Sequence, residues 1–174
     1  MTDPGNVKND EEIIQKLRAI TPLKFLKEED LRGLLKSSKM IRYDSGEVII
    51  EEGQYSDWIY FLIVGKVGIQ KKGETINTLN RTGDLFGEMG IIDKSPRSAS
   101  IIAIDQTICL AIDASYPKRL EGDEKTAFNA ILYRIFAEVL AGRLRKMDEE
   151  LVKLRDKNIK LRSEIKKFRP DSSQ

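Results

Sequence analysis

Between Met40 and Asp113 the chain strings together short β-rich runs, MIRY, EVII, WIYFLIVG, KVGIQKK, ETINTLN, SASIIAI and TICLAI, separated by DSGE, EEGQYSD, KKGE and RTGD. Apolar and β-branched runs bounded by Gly and Asp favour short strands joined by tight turns. No helical stretch interrupts them, which disfavours a parallel α/β sheet and leaves a sandwich or small barrel. KKGE is expected to close a tight hairpin between two of the strands.

Helices flank this region. Residues 1–10 are polar, with a Pro and a Gly, and are expected to fray. EEIIQKLRAI then places Ile13, Ile14, Leu17 and Ile20 on one helical face, ending before Pro22. KEEDLRGLLKSS follows, with acids in its first turn and Leu31, Leu34 and Leu35 facing a core. After ASYPKRLEGDEK the pattern turns helical to the end. Its first part, Thr126 to Ala141, is apolar over a broad face suited to packing on a barrel.

A narrower seam comes next. Leu144, Leu151, Asn158 and Ile165 fall on one heptad position; Leu140, Met147, Leu154, Leu161 and Phe168 fall on the other. This is coiled-coil spacing. An Asn at such a position is satisfied by its own copy in a parallel two-stranded coil, fixing register at some cost in stability. Arg143 with Asp148, Glu150 with Arg155, and Glu164 with Arg169 are suitable flanking pairs between chains, and Lys157 with Arg162 is a like-charge exception. The alternative is a long helix folded back on its own domain. A leucine-zipper DNA reader is disfavoured, because ILYRIFAEVLAG before the seam is apolar where such readers are basic.

Composition removes several functions. The 174 residues contain no histidine and one cysteine, so His-based triads, His-ligated metal sites and thiolate zinc sites are excluded. No metal, cofactor or catalytic residue is expected, and the chain is read as a non-enzyme. Cys109, inside TICLAID, is expected to be a buried small hydrophobe. The net charge of +2 gives no whole-chain footprint for nucleic acid or an anionic membrane. Without an apolar run long enough to span a bilayer, or a signal peptide, a cytoplasmic location is expected.

The chemistry concentrates in RTGDLFGEMGIIDKSPRSASIIA, Arg81 to Ala103. Gly83, Gly87 and Gly90 allow close backbone approach, and exposed N–H groups at a turn favour an anionic oxygen. Arg97 offers a planar fork to two acceptor oxygens, with the Ser98 hydroxyl beside it. Glu88, acceptor only when ionised, calls for donors such as sugar hydroxyls. A ligand with both a phosphate and a ribose satisfies both. So does an internal Glu88–Arg97 salt bridge closing the loop, and spacing alone does not separate the two.

Phe86-Gly87-Glu88-Met89-Gly90-Ile91 and Pro96-Arg97-Ser98-Ala99-Ser100-Ile101-Ile102-Ala103 resemble the phosphate-binding cassette of the cyclic nucleotide-binding domain family, F-G-E-[LIM]-[AG]-L followed by P-R-x-A-[ST]-[VI]-x-A. That family includes bacterial cAMP receptors, regulatory subunits of cAMP-dependent kinase and cyclic-nucleotide-gated channels. The resemblance runs from about Pro22 to Leu144. It implies a mainly β fold with flanking helices, an eight-stranded β-roll of jelly-roll type (a double-stranded β-helix), here followed by the long coiled-coil helix. The expected organisation is an N-terminal tail and helix over 1–21, the roll over 22–121, and the closing and dimerisation helix over 122–174.

By the same resemblance, Glu88 accepts from the ribose 2′-hydroxyl with the Gly87 and Met89 backbone assisting. Arg97 pairs with the exocyclic phosphate oxygens, aided by Ser98 and the Ala99 N–H, while Phe86 and Gly90 complete the cassette. Arg143 and Met147 are placed near the base edge. The Arg-Ser-Ala string is similar to that of bacterial cAMP receptors and leans to cAMP, with cGMP also open. Together with the seam, this gives the expected function of a homodimeric sensor that repositions its C-terminal helix and signals through an unidentified downstream protein; in departure from the family's transcription factors and kinase subunits, no output domain, no direct DNA binding and no membrane contact are expected. The competing reading is an adaptor with a disused pocket.

Overall fold

The computed structural model describes residues 13–15, 17, 18, 20 and 23–168, with the side chains of 166–168 left aside. The polar first ten residues, Pro22 and Arg169 lie outside it. Ile13, Ile14, Gln15, Leu17 and Arg18 are helical, and Ile14, Leu17 and Ile20 are buried as their spacing requires. Helix α1, Glu28–Lys36, buries Leu31 and Leu34. Its acidic first turn suits the helix dipole, and the Lys27 N–H donates to Asp30 Oδ2 at 3.0 Å, capping the start.

Eight strands follow: β1 Ser38–Tyr43, β2 Val48–Ile50, β3 Trp58–Val64, β4 Val67–Lys71, β5 Glu74–Leu79, β6 Leu85–Phe86, β7 Ser100–Ala103 and β8 Thr107–Asp113. They form two four-stranded sheets, ordered β1-β8-β3-β6 and β2-β7-β4-β5, and all pairings are antiparallel. Each sheet mixes strands distant in sequence, as a roll requires. KKGE forms the expected hairpin: Lys71 pairs with Glu74, and the two residues between them take positive φ, 52° at Lys72 and 83° at Gly73. Two positive φ angles match the right-handed twist of the flanking strands.

The roll interior is apolar. Ile49, Ile50, Tyr60, Leu62, Val67, Phe86, Ile101, Ala103, Cys109 and Ala111 form one buried cluster, with Ile41, Tyr43, Trp58, Ile69 and Leu79 packed against it. Cys109 is fully buried, and burial pushes its thiol pKa up to about 12, the behaviour of a hydrophobe.

A one-turn helix, α2 (Met89–Ile92), lies between β6 and β7. After β8, a 3₁₀ turn at Tyr116–Arg119 leads into α3, Gly122–Phe168, four residues earlier than the apolar pattern at Thr126 begins. The chain divides into two compact units, 1–136 and 137–174. In the first, Phe128, Leu132, Ile135 and Phe136 of α3 are buried, and Phe128 sits 5.4 Å from Tyr116 between ring centroids. In the second, residues 137–168 continue the same helix, carrying Leu144, Met147, Leu151, Leu154, Leu161 and Ile165, each about half exposed or more. No described helix is long and apolar enough to cross a membrane.

Candidate nucleotide site

The cassette begins with a turn that pins it to the roll. Asp84 Oδ2 accepts from the Asn80 and Arg81 N–H groups, and Gly83 N donates to Leu62 O at 2.8 Å. Leu62 N donates in turn to Asp84 O at 2.9 Å. These bonds bring β6 against β3, where Phe86 pairs with Tyr60 and their rings stack at 5.3 Å and 9°. The sequence alone signals no strand here, because two residues in a glycine-rich stretch carry no periodicity.

Gly87 follows with φ +85°. A Cβ there would lie 3.0 Å from Ile50 Cδ1, 3.1 Å from Arg97 Nη1 and 3.3 Å from Trp58 O. Both the dihedral and the close approach therefore require glycine. Glu88 comes next, 2% exposed, and its main-chain carbonyl accepts from Ile91 and Ile92 at the start of α2. Met89 is 54% exposed and Gly90 half-buried. A Cβ on Gly90 would meet Ser95 O at 3.0 Å. The loop back is held by Asp93, whose Oδ1 accepts from the Ser95 hydroxyl at 2.6 Å and N–H at 3.1 Å. Those two bonds hold the Asp93 carboxyl below its ordinary pKa.

Arg97 enters the roll from the opposite side of this loop. Its N–H donates to Gln54 O at 2.9 Å and its carbonyl accepts from Gly53 N at 2.8 Å, fixing its backbone against the β2–β3 connection. The side chain is 5% exposed. Nη1 donates to the Gly87 carbonyl and Nη2 to the Trp58 carbonyl. Nε is buried without a partner. Burial pushes the guanidinium below its ordinary pKa, countered by Tyr60, Asp57 and Glu88, and it stays protonated at neutral pH. The salt-bridge closure of the loop is not the arrangement found: the guanidinium bonds to two main-chain carbonyls, and Glu88 acts on it through its charge.

The structure thus gathers Gly87, Glu88 and Gly90 around the buried Arg97 guanidinium, while Phe86 precedes them in the chain and stacks on Tyr60. Ser98 is exposed and Ala99 half-buried beside it. Arg143 and Met147 belong to the second unit, half-buried and 64% exposed respectively. Trp58, Gln54 and Gly53 act through the main chain, which leaves no side-chain signature in the sequence. A cleft of about 230 Å³ lies between Tyr55, Ser56 and Asp57 on one side and Gly90, Ile91, Lys94 and Ser95 on the other. Among the described residues, no three His, Cys, Asp or Glu side chains are grouped to hold a metal ion.

Residues 40–120 match the family described as cyclic nucleotide-binding domain. They belong to that family. cGMP-dependent protein kinase 2 of Mus musculus is 36% identical over 111 residues, 60% of this chain and 14% of the kinase. The solved structure of PKAR CBD2 with bound Sp-2Cl-cAMPS is 25% identical, with TM-score 0.63 over 87% of this chain and 94% of that one. Catabolite activator protein of Thermus thermophilus is 28% identical, with TM-score 0.59 over 76% and 62%. The chain spans 8–15% of the length of the cGMP-dependent protein kinases it matches. The similarity is to a regulatory nucleotide-binding domain, and it extends to the roll and the helix that follows.

Proposed function

We propose that this chain is a non-catalytic cyclic nucleotide sensor. The observation that carries the reading is Arg97, a buried cation with an unpartnered Nε beside Gly87 and Glu88. A buried donor without an acceptor costs about 1 to 3 kcal/mol. An exocyclic phosphate oxygen supplies that acceptor, and its charge compensates the desolvated guanidinium. Glu88 takes the ribose 2′-hydroxyl, and Ser98 with the Ala99 N–H assists at the phosphate. The Arg97-Ser98-Ala99 string favours cAMP. The named ligands of the relatives include both cGMP and a cAMP analogue, so both nucleotides belong in the test.

The output is read as mechanical. The chain forms a parallel homodimer through Leu140, Leu144, Met147, Leu151, Leu154, Asn158, Leu161 and Ile165. Ligand shifts the position of α3, with coupling limited to its differential affinity for the two states, typically ~1–3 kcal/mol. A downstream protein receives the change. The adaptor reading draws on a specific observation of its own, since Arg97 already serves two main-chain carbonyls and so has a structural task without any ligand.

Calorimetric titration of nucleotide-stripped protein with cAMP and cGMP separates the two. The sensor reading expects saturable binding that is lost in Arg97→Ala. Flat titrations together with an unmoved melting temperature would leave the adaptor.

A further inference from the structure

The inner face of the sheet β2-β7-β4-β5 carries one row that crosses all four strands. Ile50 pairs with Ile101, Ile101 with Ile69, and Ile69 with Asn77. Residues directly opposite one another across strands point to the same side, and the three isoleucines belong to the roll interior, so Asn77 faces inward as well. Two residues on, Leu79 packs on the same core. An amide is out of place at the end of an apolar row.

The two ends of the row differ in kind. At the β2 end, Ile50 Cδ1 approaches the turn at Gly87, whose carbonyl takes Arg97 Nη1. Ile50 and Ile101 are buried, Ile69 is half-buried and Asn77 is exposed, so the interior closes near the guanidinium and opens over β5. Three strand spacings, about 14 Å along the sheet, separate the two ends. A nucleotide anchored by its phosphate at Arg97 finds room in this direction, with isoleucine side chains against its apolar face and Asn77 at the far edge of its base.

The amide is also held one way round. The Thr78 N–H donates to Asn77 Oδ1 at 2.8 Å. A main-chain N–H can only donate, so the atom it faces is the oxygen, and the amide does not flip without losing that bond. Oδ1 keeps a second lone pair, and Nδ2 has no partner among the described residues. The free end presents one acceptor and one donor in fixed order. Adenine offers the complement along one edge, the N6 amino donor beside the N7 acceptor. Guanine puts O6 and N7 there, two acceptors, one of them against Oδ1.

We infer that Asn77 reads the base of the bound cyclic nucleotide along its N6/N7 edge and selects adenine over guanine. The assignment deepens the sensor reading and rests on it. Arg97, Glu88 and Asn77 then all belong to one compact unit.

The test is calorimetric titration of the full, nucleotide-stripped chain with cAMP, cGMP and 7-deaza-cAMP, in the parent, Asn77→Asp and Asn77→Leu. The Asp variant keeps an acceptor for the Thr78 N–H and replaces the free donor by an acceptor, while the Leu variant removes both groups. The parent is expected to bind cAMP roughly tenfold more tightly than either cGMP or 7-deaza-cAMP, the scale of one bidentate base contact. In both variants the two ratios are expected to shrink to within roughly twofold of unity or to invert, as coupled contacts do. Thermal melting confirms that each variant is folded, and the 7-deaza comparison in the parent needs no variant. A parent that does not distinguish cAMP from cGMP, equal affinity for 7-deaza-cAMP, or variants that keep the parent's ratios would each overturn the inference and leave the sensor reading standing. A parent that binds neither cyclic nucleotide would instead overturn the sensor reading, and this assignment with it.

Discussion

Arg97 Nη1 donates to the carbonyl of Gly87, ten residues earlier, so the side chain assigned to the ligand phosphate also holds the turn that presents Glu88. Nη2 repeats the arrangement on Trp58, at the start of β3. Binding and local order are therefore coupled at one residue. Arg97→Ala is expected to weaken cyclic nucleotide binding thirty-fold or more, on the ~2–5 kcal/mol scale of a truncated buried charge pair. It also strands two main-chain acceptors, at about 1 to 3 kcal/mol for each that water does not reach. Calorimetry and denaturant unfolding on the same variant read the two effects separately.

Gly87→Ala probes the turn without touching a charge. At φ +85° an alanine is strained, and its Cβ presses on Ile50 Cδ1 and Arg97 Nη1. A loss of about 1 to 3 kcal/mol in unfolding free energy is expected. A melting temperature equal to that of the parent would show that the turn relaxes without cost.

The legible parts of this fold are those written in side chains. KKGE announces its hairpin through Gly73, which takes its φ of 83° freely, although Lys72 beside it also takes a positive φ of 52°. Glu88 and Arg97 announce a site because charges amid glycine and apolar residues need partners. The partners themselves were not legible. Gly87 and Trp58 contribute carbonyl oxygens, which every residue has, and β6 is too short to alternate. Nor does the spacing of Glu88 and Arg97 show whether they close the loop as a mutual salt bridge; the guanidinium instead bonds to the main-chain carbonyls of Gly87 and Trp58.

Glu88→Gln keeps the shape and removes the charge. If the carboxylate accepts the ribose 2′-hydroxyl, cAMP binding falls by about 1.5 to 3 kcal/mol, the range for hydrogen bonds to charged groups. A 2′-deoxy analogue should lose a similar amount in the parent and little more in the variant. Additive losses in that cycle would place Glu88 away from the ribose.

Cys109 gives a pH prediction. With its pKa pushed up to about 12 in the fold, the thiolate fraction at pH 8 is about one in ten thousand, so thiol reagents should react only after unfolding. The sign for stability follows. Above its ordinary value near 9 the unfolded chain releases the thiol proton and the folded chain does not. Stability is therefore intact below about pH 9 and declines as pH rises toward 12. Cys109→Ala should flatten that decline, and rapid labelling at pH 8 in native buffer would contradict the burial.

The seam of α3 yields two variants with opposite outcomes. Leu151 is 52% exposed in the single chain, and a charge there would be buried in a dimer, so Leu151→Lys should give a monomer by sedimentation at every concentration. Asn158→Leu removes a polar group from the same seam. It should raise the melting temperature of the dimer while loosening its register, because the Asn–Asn′ contact that penalises misalignment is gone. Lys157 and Arg162 add repulsion at that level in a parallel pair, so added salt should stabilise the parent more than a Lys157→Glu variant. A parent that sediments as a monomer throughout would remove the dimer from the sensor reading, while the nucleotide titrations on the roll would stand on their own.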